Sequence, residues 1–238
     1  MGRRALVTGG AVRVGRAISL ALGEAGYDVA IHFASSAAAA SEVEAAIREV
    51  GGRAATLEAN LTQPGEAEGL VARAIARLGG LDLLVNNAGI FPHARPEEVS
   101  VADWDRVFAL NARAPFFCCR AAASLMSAGG SIVNIADSGV DEAWPGYAVY
   151  LASKAALVSL TRSLARAWAP RIRVNAVAPG PVLLPESYGV EERGNAAERT
   201  ALRRVGSATD VAAAVLYLDG AEFVTGEVMY VDGGARLV

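Results

Sequence analysis

Short, almost uninterrupted apolar runs alternate along this chain with longer stretches whose apolar positions recur every three or four residues. The runs are "RRALVTG", "DVAIHF", "RAATLEAN", "LDLLVNNAG", "GSIVNIA", "IRVNAVAPG" and "GEVMYVDGG". A strand apolar at successive positions has both faces covered, which is the habit of parallel strands with helices packed on either side. Helical periodicity fills 36–50, 64–78, 101–127 and 148–168. This alternation predicts an α/β fold: one doubly wound parallel sheet of about seven strands, Rossmann-type, that binds ligands at the carboxyl ends of its strands. No linker or repeat divides residues 1–238, so one domain is expected. The alanine-rich "ASSAAAASEVEAAI" reads as a helix start with a serine cap. The segment at about 180–206, rich in Pro, Gly and Glu, reads as an irregular lid over the site.

Composition narrows the partners. With 53% hydrophobic and 20% charged residues, the 238-residue chain has ample material for a core. A net charge of −3 gives a polyanion no purchase, so nucleic acid is not expected as a partner. The two cysteines, Cys118 and Cys119, are adjacent in an apolar run. They suit a reduced compartment and a packing role, and no metal-ligand spacing occurs. No signal-peptide pattern and no apolar run of membrane-spanning length is present, so a cytoplasmic protein is the expectation. Of 22 basic residues only Lys154 is a lysine. Arginine cannot supply a compact ammonium on a flexible stem, so this position asks for that shape.

Two stretches carry chemistry. "LVTGGAVRVGRAI", residues 6–18, reads as strand, glycine turn and helix, and the free N–H groups of such a helix start suit a pyrophosphate. Arg13 stands in this turn where a glycine is expected. In "YAVYLASKAAL", Tyr150 and Lys154 are four apart and share a helix face. A phenol with a pKa of about 10 is a poor acid at neutral pH, and a neighbouring ammonium would lower it. A plain surface Tyr–Lys pair is the alternative.

With "TGGAVRVG", "NNAG" at 86–89, Asn111 in "LNARAPF", "YLASK", "VNAVAPG" and "TGEVMYVDGG" in order, the chain resembles the short-chain dehydrogenase/reductases along nearly its whole length. The resemblance implies NAD(P)-dependent hydride transfer. It implies Tyr150 as acid, Lys154 binding the nicotinamide ribose and lowering the tyrosine pKa, and Asn111 holding a water relay. It carries cofactor contacts to Thr8, Gly9, Arg13, Val14 and Gly15, to Ser35 and Ser36, to Asn60 and Leu61, to Asn87, Ala88 and Gly89, and to Pro179 and Gly180. Family members associate through the 148–168 helix and its predecessor, which implies a homotetramer. Leu151, Ala155, Leu157, Val158, Leu160, Leu164 and Trp168 would supply more apolar surface there than one sheet face needs.

The chain departs from the family pattern where a serine usually stands thirteen residues before the tyrosine: that position is Asp137, with Ser138 next to it. A one-residue shift would restore the serine, but successive strand-end residues point different ways. An ionised carboxylate opposes the oxyanion of ketone reduction; at about 4 Å and an effective dielectric near 20 the penalty is of order 4 kcal/mol, roughly a thousandfold in rate. Reduction of C=N is helped by a group that stabilises or delivers a proton on nitrogen. Asp137 and the T-G-x-x-x-R-x-G turn together resemble the pteridine reductases. That likeness implies a pterin, biopterin or folate-like substrate, with Phe91 against one face of the ring, Trp144 and Tyr147 lining the pocket, and Arg13 reaching over cofactor phosphates towards the substrate edge. The second strand ends without Asp or Glu, which favours NADPH, with NADH possible; Ala34 and Ser35 stand where a basic residue is common. His32 and His93 read as structural or rim residues. The competing readings are a 3-oxoacyl thioester or other keto-reductase, and a non-catalytic dinucleotide-binding protein.

Overall fold

Seven parallel strands form one sheet in a computed structural model that describes residues 2–184 and 189–238. The strands are β1 (Arg4–Val7), β2 (Asp28–Phe33), β3 (Ala54–Glu58), β4 (Leu83–Asn86), β5 (Gly130–Ile135), β6 (Ile172–Pro179) and β7 (Val228–Val231). Their order is β3-β2-β1-β4-β5-β6-β7. Val7 pairs with both Ile31 and Val85, so the order reverses at β1 and β4 and opens a crevice beyond their carboxyl ends.

The apolar runs have the cause inferred for them. Leu6, Leu84, Ile132 and Val174 point into one core, under α3 (Glu66–Leu78), α5 (Ala114–Leu125) and α6 (Ala148–Trp168). Their neighbours Ala5, Val7, Leu83, Val85 and Val133 point into the other, under α1 (Arg13–Glu24), α2 (Ala37–Glu49) and α8 (Ala208–Gly220). The 101–127 stretch is α4 (Val101–Phe108), a π-helical turn (Ala109–Arg113) and α5 in succession. No helix among the described residues is long and apolar enough to cross a membrane.

Three expectations need correction. Ser36 stands at the N-cap of α2 but its side chain makes no capping bond; at φ −96° and ψ 54° it lies outside the extended region that capping residues adopt. The 180–206 segment is not irregular throughout, since α7 (Val190–Glu198) lies within it, and 185–188 fall outside the described residues. The apolar surplus on α6 is small. Leu151, Leu157, Val158 and Leu164 are buried by this chain itself, Leu160 and Trp168 pack against the first core, and only Ala155 of that set is exposed. An assembly argument from α6 therefore loses most of its area.

Candidate active site

The carboxyl ends of β1 and β4 are stitched together by the first residues beyond them. Thr8 Oγ1 accepts from the N–H groups of Asn87 (2.9 Å) and Ala88 (3.0 Å). Asn87 Nδ2 donates back to the carbonyls of Thr8 and Gly9, both at 3.0 Å. The turn that follows has no room for a side chain at its glycines: a Cβ on Gly15 would lie 2.0 Å from the Gly9 carbonyl oxygen. Gly9, Arg13, Val14 and Gly15 line a cleft with Ser35, Ser36, Asn60, Leu61, Asn87, Ala88 and Gly89. A helix start facing a cleft of backbone, hydroxyls and amides fits a dinucleotide. Asn60 Oδ1 is engaged by Thr62, accepting from its N–H (3.1 Å) and hydroxyl (2.7 Å). Pro179 closes β6, and Gly180 N–H donates to the Val231 carbonyl at 3.0 Å.

Arg13 has φ +52°, the left-handed region that favours glycine. The glycine expected there would fit the backbone better; the arginine is held in spite of it. Its Nη2 donates to the Leu183 carbonyl at 3.0 Å, so it ties the glycine turn to the segment after β6.

Tyr150 and Lys154 come from one face of α6 and meet the end of β5. Tyr150 Oη donates to Asp137 Oδ2 at 2.6 Å, and Gly139 N–H donates to Asp137 Oδ1 at 2.8 Å. Asp137, not Ser138, faces the tyrosine. Lys154 Nζ donates to the Ile135 carbonyl at 2.7 Å and lies 5.9 Å from the Tyr150 ring centre. Burial brings Lys154 down to about 8, partly opposed by Asp137. Burial pushes Asp137 up, against the Tyr150 hydrogen bond, the Gly139 N–H and the Lys154 charge. Burial, then the Asp137 charge and hydrogen bond, hold Tyr150 well above its ordinary range. This geometry runs against the expected lowering of the phenol by Lys154: the nearer charge is a carboxylate, and the ammonium is turned to a backbone carbonyl. Tyr150 and Asp137 form one proton-holding unit.

Asn111 sits in the π turn, fully buried. Its Oδ1 accepts from Ile90 N–H (2.9 Å), and its Nδ2 donates to the Ile90 carbonyl (3.0 Å) and Ser153 Oγ (3.1 Å). Both amide hydrogens are thus engaged, and a water relay would have to run through other atoms. Gly89 passes so close that a Cβ there would be 3.2 Å from Asn111 Oδ1 and 3.5 Å from Lys154 Nζ.

An aromatic wall covers the pair. Phe91 and Tyr147 stack at 4.2 Å and 8°, Phe91 meets Tyr150 edge-on at 4.5 Å, and Trp144 meets Tyr147 edge-on at 6.1 Å. Trp144 Nε1 donates to Glu142 at 2.7 Å. One face of Phe91 is therefore already covered by Tyr147, leaving half the ring exposed for a ligand. His93 packs edge-on against Tyr147 at 5.1 Å, a support that residue spacing did not indicate.

The family model described as enoyl-(acyl carrier protein) reductase matches residues 10–236. The chain belongs to the short-chain dehydrogenase/reductases. It is 39% identical to an uncharacterised oxidoreductase of Methylorubrum extorquens, over 99% of this chain and 98% of that one. It is 35% identical to the 3-oxoacyl-[acyl-carrier-protein] reductase of Staphylococcus aureus, over 98% of each. Among solved structures, the angucycline C-6 ketoreductase LanV with bound NADP superposes with a TM-score of 0.93 at 37% identity, covering 99% of this chain and 96% of that one. Within this short-chain dehydrogenase/reductase, two site residues were not legible as such. Ser153, whose hydroxyl donates to the Tyr150 carbonyl at 2.6 Å while accepting from Asn111, couples two predicted site residues. His32 is the other; its signal is a histidine inside an otherwise apolar strand.

Proposed function

We propose that this chain is an NADPH-dependent reductase of a C=N bond in a planar heterocycle, a dihydropterin or folate-like ring. The observation that carries this reading is the 2.6 Å hydrogen bond from Tyr150 Oη to Asp137 Oδ2 in a buried site. A carboxylate there disfavours a developing oxyanion and favours a nitrogen that takes up a proton. The Asp137–Tyr150 unit holds that proton, and Lys154 balances the unit's charge. The half-exposed Phe91 offers a flat surface to a flat substrate. NADPH, when bound, supplies the hydride. The absence of an acidic residue after β2 and the hydroxyls of Ser35 and Ser36 in the cleft support NADPH over NADH. Arg13 would tie the cofactor turn to the segment after β6 through the Leu183 carbonyl.

The second reading is a keto-reductase, for example of 3-oxoacyl thioesters. The relatives' stated activities favour it, in Staphylococcus aureus and in LanV alike. It requires Asp137 to be protonated during turnover, and burial acts in that direction. NADPH oxidation with dihydrobiopterin, dihydrofolate and an acetoacetyl thioester, measured side by side, separates the two. Turnover of the pterins with none of the thioester supports the first reading; the reverse returns the chain to the keto-reductases. No turnover of any of them, with NADPH bound, would favour a non-catalytic dinucleotide-binding role.

A further inference from the structure

His32 lies in β2, is almost wholly buried, and lines the cleft beneath the glycine turn. Both ring nitrogens are engaged. Nδ1 is 2.9 Å from Gly9 N, whose hydrogen it must accept, and Nε2 is 3.1 Å from the Ala59 carbonyl, to which it must donate. These partners fix one neutral tautomer, because a backbone N–H can only donate and a carbonyl can only accept. The same residue's carbonyl accepts from Gly10 N–H at 2.9 Å. His32 thus holds two consecutive N–H groups of the turn, including that of Gly9, whose φ is +61°. Through Ala59 it also holds the chain just before Asn60, on the far side of the cleft.

We infer that His32 is a positioning residue for the dinucleotide: its neutral imidazole sets the glycine turn, so that proton uptake by His32 and cofactor binding oppose one another. The inference rests on the dinucleotide reading of the cleft. Protonation would place an Nδ1–H against the Gly9 N–H, two donors facing each other, and the turn would have to move. The surrounding charges do not rescue the protonated form. From α3, Arg73 opposes a positive imidazole, and its guanidinium is shared with the Glu58 carbonyl and Glu66. Arg13 adds a second positive charge to the cleft lining, and Glu58 is the acidic residue at the end of β3. Burial, the largest cause, together with Arg73 outweighs the opposing Ala59 hydrogen bond and keeps the imidazole neutral to lower pH than usual. The binding-competent form is the deprotonated one, so cofactor affinity should be flat near neutrality and fall on the acid side of the ordinary imidazole range.

Two substitutions separate the two bonds. In His32→Asn the amide oxygen takes the place of Nδ1, keeping an acceptor for Gly9 N–H that cannot titrate. In His32→Gln the amide reaches the Nε2 position, keeping the Ala59 bond and losing the Gly9 bond. NADPH dissociation constants, measured by fluorescence from pH 5 to 8, should rise at least tenfold in the wild type on the acid side. His32→Asn should bind within a few-fold of wild type at pH 7.5 with a flat profile, and His32→Gln should bind at least tenfold more weakly at every pH. In the cofactor-free protein, the Gly9 amide resonance should move with the His32 titration. A wild-type affinity independent of pH, an acid limb that survives in His32→Asn, or a Gly9 amide indifferent to His32 would overturn the inference. The wild-type measurements decide even if a variant does not fold. Failure of the folded wild type to bind NADPH or NADH at pH 7.5 would instead remove the dinucleotide reading beneath it.

Discussion

Two part-buried Tyr–Asp pairs sit at opposite ends of the same sheet. At the carboxyl ends, Tyr150 donates to Asp137; at the other end, Tyr27, just before β2, donates to Asp219 near the end of α8. In each, burial first and the carboxylate second raise the phenol. The difference lies behind the carboxylate. Asp219 is ion-paired to Arg3 at 2.9 Å, and Arg173 donates to its backbone carbonyl at 2.6 Å. Among the described residues no arginine pairs with Asp137; its support is one backbone N–H and the charge of a lysine turned elsewhere. A carboxylate tied to a guanidinium acts as a clamp. A carboxylate buried without one is drawn towards protonation and can exchange a proton with its partner. On the proposed function, the same two side chains serve stability in one place and chemistry in the other.

Removing each hydroxyl should produce the largest contrast. Tyr150→Phe should lower turnover by about 10²–10⁴-fold, the range typical of a lost general acid, and leave NADPH affinity nearly unchanged. Tyr27→Phe should leave turnover intact and cost about 1.5–3 kcal/mol of stability, the worth of a hydrogen bond to a charged group. Steady-state kinetics and urea melts on both variants check this, and equal effects on activity would collapse the distinction.

The carboxylates should divide in the same way. On the proposed pterin reading, Asp137→Ala should cut pterin turnover strongly at nearly constant NADPH affinity, and Asp137→Ser should not restore it. Asp219→Ala should cost roughly 2–3 kcal/mol of stability, below the range for fully buried pairs because Arg3 is partly exposed. A catalytic loss in Asp219→Ala as large as that in Asp137→Ala would show that the clamp also shapes the site.

A smaller effect follows from pH. Lys154, brought to about 8 by burial, loses its charge above that pH, so kcat/KM should fall on the alkaline side of about 8. Its folded pKa lies below its unfolded value, so the unfolded chain binds more protons between about 8 and 10 and Lys154's contribution to stability should rise there. Tyr27, whose pKa is raised, adds no slope until the pH passes its unfolded value of about 10. Activity falling while stability rises would be the signature of the lysine, and Lys154→Gln should lose both slopes.

These contrasts also mark what the chain reveals on inspection. Strands were legible because each needs apolar residues at successive positions to pack two cores, as Leu6 and Val7 do. The glycine turn and the Tyr150–Lys154 pair were legible because their chemistry depends on neighbours a few residues away. The direction of the Tyr150 shift was not, since it depends on which way Lys154 turns its ammonium once Ile135 is within reach. Nor was the role of Asn111, whose partners Ile90 and Ser153 lie 21 and 42 residues away. Tyr27 and Asp219 are 192 residues apart, and only the packing of α8 beside α1 brings them together. Spacing carries local chemistry; counter-charges are set by tertiary contact.

The smallest predicted effect tests whether burial is what separates these pairs. A third one, Tyr230 donating to Asp141, lies at the surface, with the Arg236 guanidinium 3.8 Å over the tyrosine ring. It has the same donor and acceptor and a cation nearby, but water competes for every group. Exposed polar pairs contribute about 0–1 kcal/mol, because solvent supplies nearly equivalent partners. Tyr230→Phe keeps the ring beneath Arg236 and removes only the hydroxyl, so the thermal midpoint should fall by no more than about 2–4 °C. A cost equal to that of Tyr27→Phe would mean that the pair's own geometry, rather than its burial, sets its worth. Asp141 ends the short helical turn that begins at Ser138, directly after Asp137. If turnover also changes in Tyr230→Phe, that turn transmits the surface bond to the Asp137 carboxylate, and the third pair belongs with the first.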